Sequence, residues 1–171
     1  LNFEREKYSE AELVQINHLL LEKVNNCKAA LIHRNIPYPS TKDLFIKTNY
    51  AFAAASKKYP FLRYSYPSVK PSLFNFIGNY FGISGYYNPL TGEAQVNTDT
   101  PDFIQPFVSC HEVAHQLGYA KENEANFAGY IVATASGDSL FMYSAYFDLF
   151  LYANRNLYRT DTVAAQHVLT L

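Results

Sequence analysis

The sequence has no tryptophan, one methionine, two cysteines and almost no net charge. Cys27 and Cys110 can form one bridge at most and sit in no Cys-x-x-Cys pair, so cysteine usage reports no redox compartment. A chain of 171 residues can close a core without such staples. Fourteen Lys and Arg against fifteen Asp and Glu leave a net charge of −1, which argues against nucleic acid as a partner. Charged residues make up only 17%, while fifteen Tyr and thirteen Phe bring the aromatic share to 16%, so part of the apolar surface is expected to face something other than water. No long hydrophobic run is present. The most apolar stretch, Phe127 to Ala153, is broken by Ser136-Gly137, Asp138 and Asp148 and falls short of the ~18 apolar residues of a spanning helix, so it reads as buried helices. The chain begins at Leu1 with no signal pattern and reads as a mature or excised portion of something longer.

What is there is mostly helical periodicity. Ser9-Glu10-Ala11-Glu12 is a capping box, followed at helical spacing by Leu13, Ile16, Leu20, Val24 and Leu31, which predicts a helix from about Ser9 to His33. Ser40 or Thr41 can cap a second helix through Leu44, Phe45, Thr48, Phe52 and Ala55, ending before Tyr59-Pro60. Prolines forbid regular structure from Tyr64 to Pro71, and Leu73 to Phe81 suggests a short helix stopped by Gly82. Tyr86-Tyr87 and Gln95-Val96-Asn97 flank the turn residues Asn88 to Gly92 as a hairpin. Thr100-Pro101-Asp102 offers a helix start, with the helix running through Phe107 to Leu117 and stopping at Gly118. Further helices are expected from near Lys121 and over roughly Ser139 to Asn154.

Chemistry concentrates in His111-Glu112-Val113-Ala114-His115. Residues four apart on a helix stack one turn above each other, so His111 and His115 aim two imidazoles at one point, as a tetrahedral zinc requires. Glu112 points about 100° away, toward the side where a metal-bound water would lie, and is the candidate general base. The pattern arises by chance in on the order of 1% of such chains, and its bland reading is a pair of core histidines bonded to carbonyls.

A catalytic zinc takes three protein ligands and a water. On an unbroken helix Glu122 would lie about 10 Å along the axis from His115, so the helix must break, and Gly118 is suited to the break. Beyond it Glu122, Ala125, Asn126, Gly129 and Ala133 share one face, mostly small, which lets a second helix approach the first with Glu122 aimed at the metal. Glu124 lies about 200° around that helix and is the alternative third ligand. Acidic residues answering a helix dipole would explain both without a metal. His18, His33 and His167 lie outside any ligand spacing.

His111 to His115 followed by Glu122-Asn123-Glu124-Ala125-Asn126 resembles the gluzincins, zinc peptidases in which a glutamate on a second helix, in a Glu-x-x-Ala/Ser-Asp pattern, completes the site. Asn126 stands where that family has the Asp that bonds a histidine ligand, and the connection between the helices is shorter than in most gluzincins. The metzincins share a glycine at Gly118, but their third histidine would fall on Lys121. From about Lys70 to Ile131 the chain is also similar to an uncharacterised bacterial family of membrane-anchored, gluzincin-like zinc peptidases, a domain of unknown function. That likeness runs through Gly82 to Pro89, Thr91 to Asn97 and His111 to Phe127. It implies transmembrane helices before this region, hence membrane association through a segment that precedes the chain, at the bacterial cell membrane with the domain extracytoplasmic.

These readings converge on a single α+β, mainly helical zincin-like domain over residues 1–171. A helical part covers about 1–70, the hairpin and metal site about 82–133, and C-terminal helices about 139–171, with a small antiparallel sheet beside the metal-binding helix. The expected function is hydrolysis of peptide bonds in a peptide or protein substrate, with one Zn2+ on His111, His115 and Glu122 and with Glu112 as base. The resemblance to zincins implies that Glu93 to Asn97 is the strand that takes up an extended peptide, the alternative being an ordinary hairpin packed under the helices, and Tyr86 or Tyr87 can offer a phenol to the oxyanion. The competing reading is a non-catalytic zincin-like module that binds a peptide or membrane protein.

Overall fold

The computed structural model describes residues 8–170. Helix α1 (Glu10–His33) starts as the capping box requires: the Glu12 amide donates to Ser9 Oγ at 3.2 Å and the Ser9 amide donates back to Glu12 Oε2 at 2.7 Å. Helix α2 (Thr41–Lys58) is capped by Ser40 and followed by a 3-10 turn at Pro60–Leu62. Strand β1 (Val69–Pro71), helix α3 (Asn75–Phe81), and strands β2 (Gly85–Asn88) and β3 (Glu93–Val96) form the middle of the chain. Helices α4 (Gln105–Gln116), α5 (Glu122–Ala135), α6 (Ser139–Thr160) and α7 (Thr162–Leu169) complete it. A mainly helical domain with one small sheet is therefore the architecture, as expected.

The sheet differs from expectation in two ways. Its order is β1-β3-β2, with β2 antiparallel and β1 parallel to β3, so it is mixed rather than antiparallel. β1 forms in the stretch from which regular structure is expected to be barred, because Pro71 ends an edge strand, where its missing N–H costs nothing. The Ala94 and Ser72 amides bracket the strand, donating to Ser68 O and Val96 O. β3 is consequently central and has no free edge.

Two apolar clusters hold the helices. One joins α2, α4, α5 and the start of α6 through Phe52, Leu62, Phe107, Val113, Val132 and Phe141, and each large side chain so buried contributes ~1.5–3 kcal/mol. The other joins α1, α6 and α7 through Leu20, Val24, Phe150, Leu157 and Val168. In α1, Ile16 is exposed and Asn17 takes the buried place, its amide donating to Leu13 O. Cys27 and Cys110 belong to different clusters, and both are free thiols. α6 runs past the expected end at Asn154 to Thr160, because Leu157 continues its buried face. No described helix is long and apolar enough to cross a membrane.

Candidate metal centre

Helix α4 is the buried axis of the first cluster, packed by α2, α5, α6 and the sheet. It starts at Gln105 and not at Thr100, since the Thr100 hydroxyl is spent on Asn97 O and residues 101–104 form a turn. A neighbour supplies the missing cap: Ser144 Oγ of α6 accepts from the Phe107 amide at 3.0 Å and donates to Ile104 O. Thr48 of α2 and Ser109 bond through their hydroxyls at 2.8 Å. Such a cap comes from residues far away in sequence, so no local pattern announces it.

The end of α4 is a Schellman reversal. Gly118 has φ +100°, its amide donates to His115 O at 3.0 Å, and the Tyr119 amide donates to Ala114 O at 3.1 Å. The reversal also brings Tyr119 O to 2.8 Å from His115 Nδ1. A carbonyl only accepts, so Nδ1 carries a proton, and it is Nε2 that a neutral ring would offer to the cleft as a lone pair. After the reversal α5 runs back along α4 with its small face inward, burying Ala125, Gly129 and Ala133. A Cβ on Gly129 would stand 3.2 Å from the His111 amide nitrogen, closer than most side chains tolerate.

This packing delivers Glu122 to the histidines. His111 Nε2 and His115 Nε2 are 3.0 Å apart, and Glu122 reaches them through Oε2 at 3.3 Å and Oε1 at 3.4 Å. Two ligands 2.0–2.1 Å from a tetrahedral zinc lie about 3.3–3.4 Å from each other, and each imidazole nitrogen has an oxygen of the Glu122 carboxylate at that distance, Oε2 for His111 and Oε1 for His115. Among the described residues, His111, His115 and Glu122 are the group of potential ligands close enough to share one ion. Glu124 turns away: it is buried on the other side of α5, 3.8 Å from Lys121 Nζ. His18, His33 and His167 are exposed and remote from the group.

Burial holds the His111 pKa below the ordinary histidine value, helped by neighbouring His115 and opposed by Glu122 and Asn126, so the ring stays neutral as a metal ligand must. Its buried Nδ1 has no well-formed hydrogen bond, and Asn126 of α5 is the polar side chain beside the ring. Glu112 is 4% exposed. Burial, and after it the charge of Glu122, pushes its pKa up to about 8. Its carboxyl group packs on the backbone of Gly85, where a Cβ would fall 2.6 Å from Glu112 Cγ and Oε1. Sequence reasoning missed Gly85, although a glycine inside a strand is itself a sign of close approach.

A cleft of about 640 Å³ opens between residues 82–87 and the two helices, with His111, Glu112, His115 and Glu122 on one wall. A smaller, apolar hollow of about 230 Å³ lies beside it between α3 and β2. The strand along the cleft is β2, not the expected Glu93–Asn97. Because the Asn97 amide donates to Ser84 O, alternation turns the backbone groups of Gly85 and Tyr87 away from β3. The Tyr86 hydroxyl is bonded to Gln95 Oε1 on the far face of the sheet, whereas Tyr87 shares the α4-facing side with Gly85. Comparison with known proteins gives one family: Protein of unknown function (DUF3810) matches residues 1–171, the whole chain. No curated protein and no solved structure matches it.

Proposed function

We propose a zinc-dependent peptidase activity for this chain, which belongs to the DUF3810 family of proteins of unknown function. The observation that carries the reading is the convergence of His111, His115 and Glu122, whose imidazole nitrogens lie 3.0 Å apart with one carboxylate oxygen 3.3 Å from His111 and the other 3.4 Å from His115, beside a buried glutamate in the same cleft. Two neutral imidazoles and one carboxylate are a donor set of catalytic zinc, three protein ligands with the fourth position left to water. A zinc ion held there would polarise a scissile carbonyl and lower the pKa of its water.

The chain's own residues account for the rest. Glu112 takes a proton from the attacking water on its carboxylate and passes it to the leaving amine, and its burial against Gly85 raises its affinity for that proton. His115 is held in one tautomer by Tyr119 O, which keeps Nε2 free as a ligand. The outward backbone groups of Gly85 and Tyr87 can bond an extended peptide lying along β2, which favours a peptide or protein substrate. Tyr87 is the better placed of the two candidate phenols, since the Tyr86 hydroxyl is committed to Gln95.

A non-catalytic binding module would have no use for a buried base beside the ligands. The test is a pair of measurements on the purified chain, zinc per mole and cleavage of a peptide library. Glu112→Gln should keep its zinc and lose cleavage by at least several hundredfold, within the range that acid–base catalysis contributes. Retained cleavage in that variant would overturn the mechanism.

A further inference from the structure

From Pro71 to Gly92 the chain carries no Asp, Glu, Lys, Arg or His. Helix α3 lies in this stretch with its polarity reversed relative to a helix in water. Its asparagines turn toward the protein: Asn75 Nδ2 donates to Thr98 Oγ1 at 2.8 Å and Asn79 Oδ1 accepts from Asn97 Nδ2 at 2.8 Å. Gly78 is buried against Asn97 and Ile83 O. Large apolar side chains point out instead, with Leu73 83%, Phe76 84%, Tyr80 87% and Phe81 72% exposed, and Phe74 and Ile77 more than half exposed. An amphipathic element in water does the opposite.

We propose that this outer face of α3 inserts into the interfacial layer of a lipid bilayer and holds the neighbouring cleft at the membrane surface. A bilayer is favoured over a protein partner by chemistry. Protein-binding patches have a polar, often charged rim around their apolar core, whereas the outward side chains from Leu73 to Phe81 are all uncharged and the carboxylate that α3 meets, Asp99, lies 3.5 Å from Asn75 on its protein-facing side. Phe with Tyr on a single face is the composition of a membrane–water boundary, where the ring is buried and the phenol stays wet. α3 is far too short to span and would lie in the plane of the surface. Residues 82–84 run directly from α3 into the wall of the cleft, so insertion would fix the cleft next to lipid.

The absence of tryptophan makes the test direct, because Tyr80→Trp in the otherwise intact chain creates a single tryptophan, which is excited apart from the tyrosines at the red edge of their absorption. With phosphatidylcholine vesicles its emission should shift to the blue and be quenched by lipids brominated in the acyl chains, equally in low and high salt. Tyr152→Trp on α6, 63% exposed, should show neither effect. Phe76→Ser with Phe81→Ser should lower partitioning by about a hundredfold, roughly tenfold for each apolar side chain withdrawn, with an unchanged circular dichroism spectrum. No shift at millimolar lipid would overturn the proposal. So would a response confined to anionic vesicles and abolished by salt, or a blue shift that follows protein concentration without lipid together with a dimer in sedimentation, which would assign the face to a second copy. None of these readouts involves zinc or hydrolysis, so the peptidase reading stands or falls separately.

Discussion

Glu122 and Glu124 sit two positions apart on the first turn of one helix, and the fold treats them in opposite ways. Glu122 is exposed and directed at both imidazoles, while Glu124 is buried beside Lys121. Glu122→Ala should weaken zinc binding by 10–100-fold or more, the range that even indirect partners of a metal site command, whereas Glu124→Ala should leave zinc affinity unchanged and lower stability. Competitive zinc titration against a chromogenic chelator separates them, and the reverse pattern would show that the carboxylate beside the histidines is not a ligand. Gly85 makes a different demand. Its backbone occupies the space next to Glu112, so Gly85→Ala must displace either the strand or the carboxyl group. That variant should retain zinc and lose turnover with little change in KM, because the displaced group acts on the water and not on peptide binding. Unchanged kcat would mean that Glu112 is free to move aside without consequence.

At the scale of elements, what the sequence made legible was local. The capping box at Ser9, the reversal at Gly118 and the hairpin turn are each encoded within a few adjacent residues, and each forms where expected. The small face of α5 was legible too, since Ala125, Gly129 and Ala133 mark close approach by their size. β1 was not, because three residues become a strand only by pairing with β3 from a distant part of the chain. The cap that Ser144 provides to α4 was hidden for the same reason. The misplacement of the rim strand followed from missing β1: once β1 takes one side of β3, the free edge moves to β2. One element-level cost is open to measurement. Burial on α6 raises the Asp148 pKa above the ordinary aspartate value, with Arg155 only partly offsetting it. The folded state thus holds that proton more tightly than the unfolded one. The favourable contribution is complete below the ordinary value, about 3.9, and is lost as pH rises through the raised one. Asp148→Asn should therefore raise Tm at pH 7, with the gain shrinking toward zero as pH falls below about 4. An equal gain at both pH values would assign the effect to packing.

At the scale of the whole molecule, the two apolar clusters would divide the consequences of the proposed metal binding. His111, His115 and Glu122 join α4 to α5 within the cluster that also holds α2, whereas α1 and α7 pack on α6 in the other. A zinc that binds only the folded chain stabilises it by mass action, about 2.7 kcal/mol at a free concentration a hundred times Kd. For a chain of this size that corresponds to a Tm about 5–10 °C higher than in chelator. The gain should also be uneven. Without metal, the α4–α5 junction around Gly118 carries two imidazoles and a carboxylate with no cation between them, and local opening there needs no disturbance of α1 or α7. Hydrogen exchange should accordingly show chelation accelerating residues 111–125 and leaving the buried face of α1 unchanged. Zinc that raised protection uniformly would mean that the two clusters unfold as one unit. Zinc that raised neither Tm nor protection would remove the metal from this site, and with it the premise that α5 packs on α4 to build one.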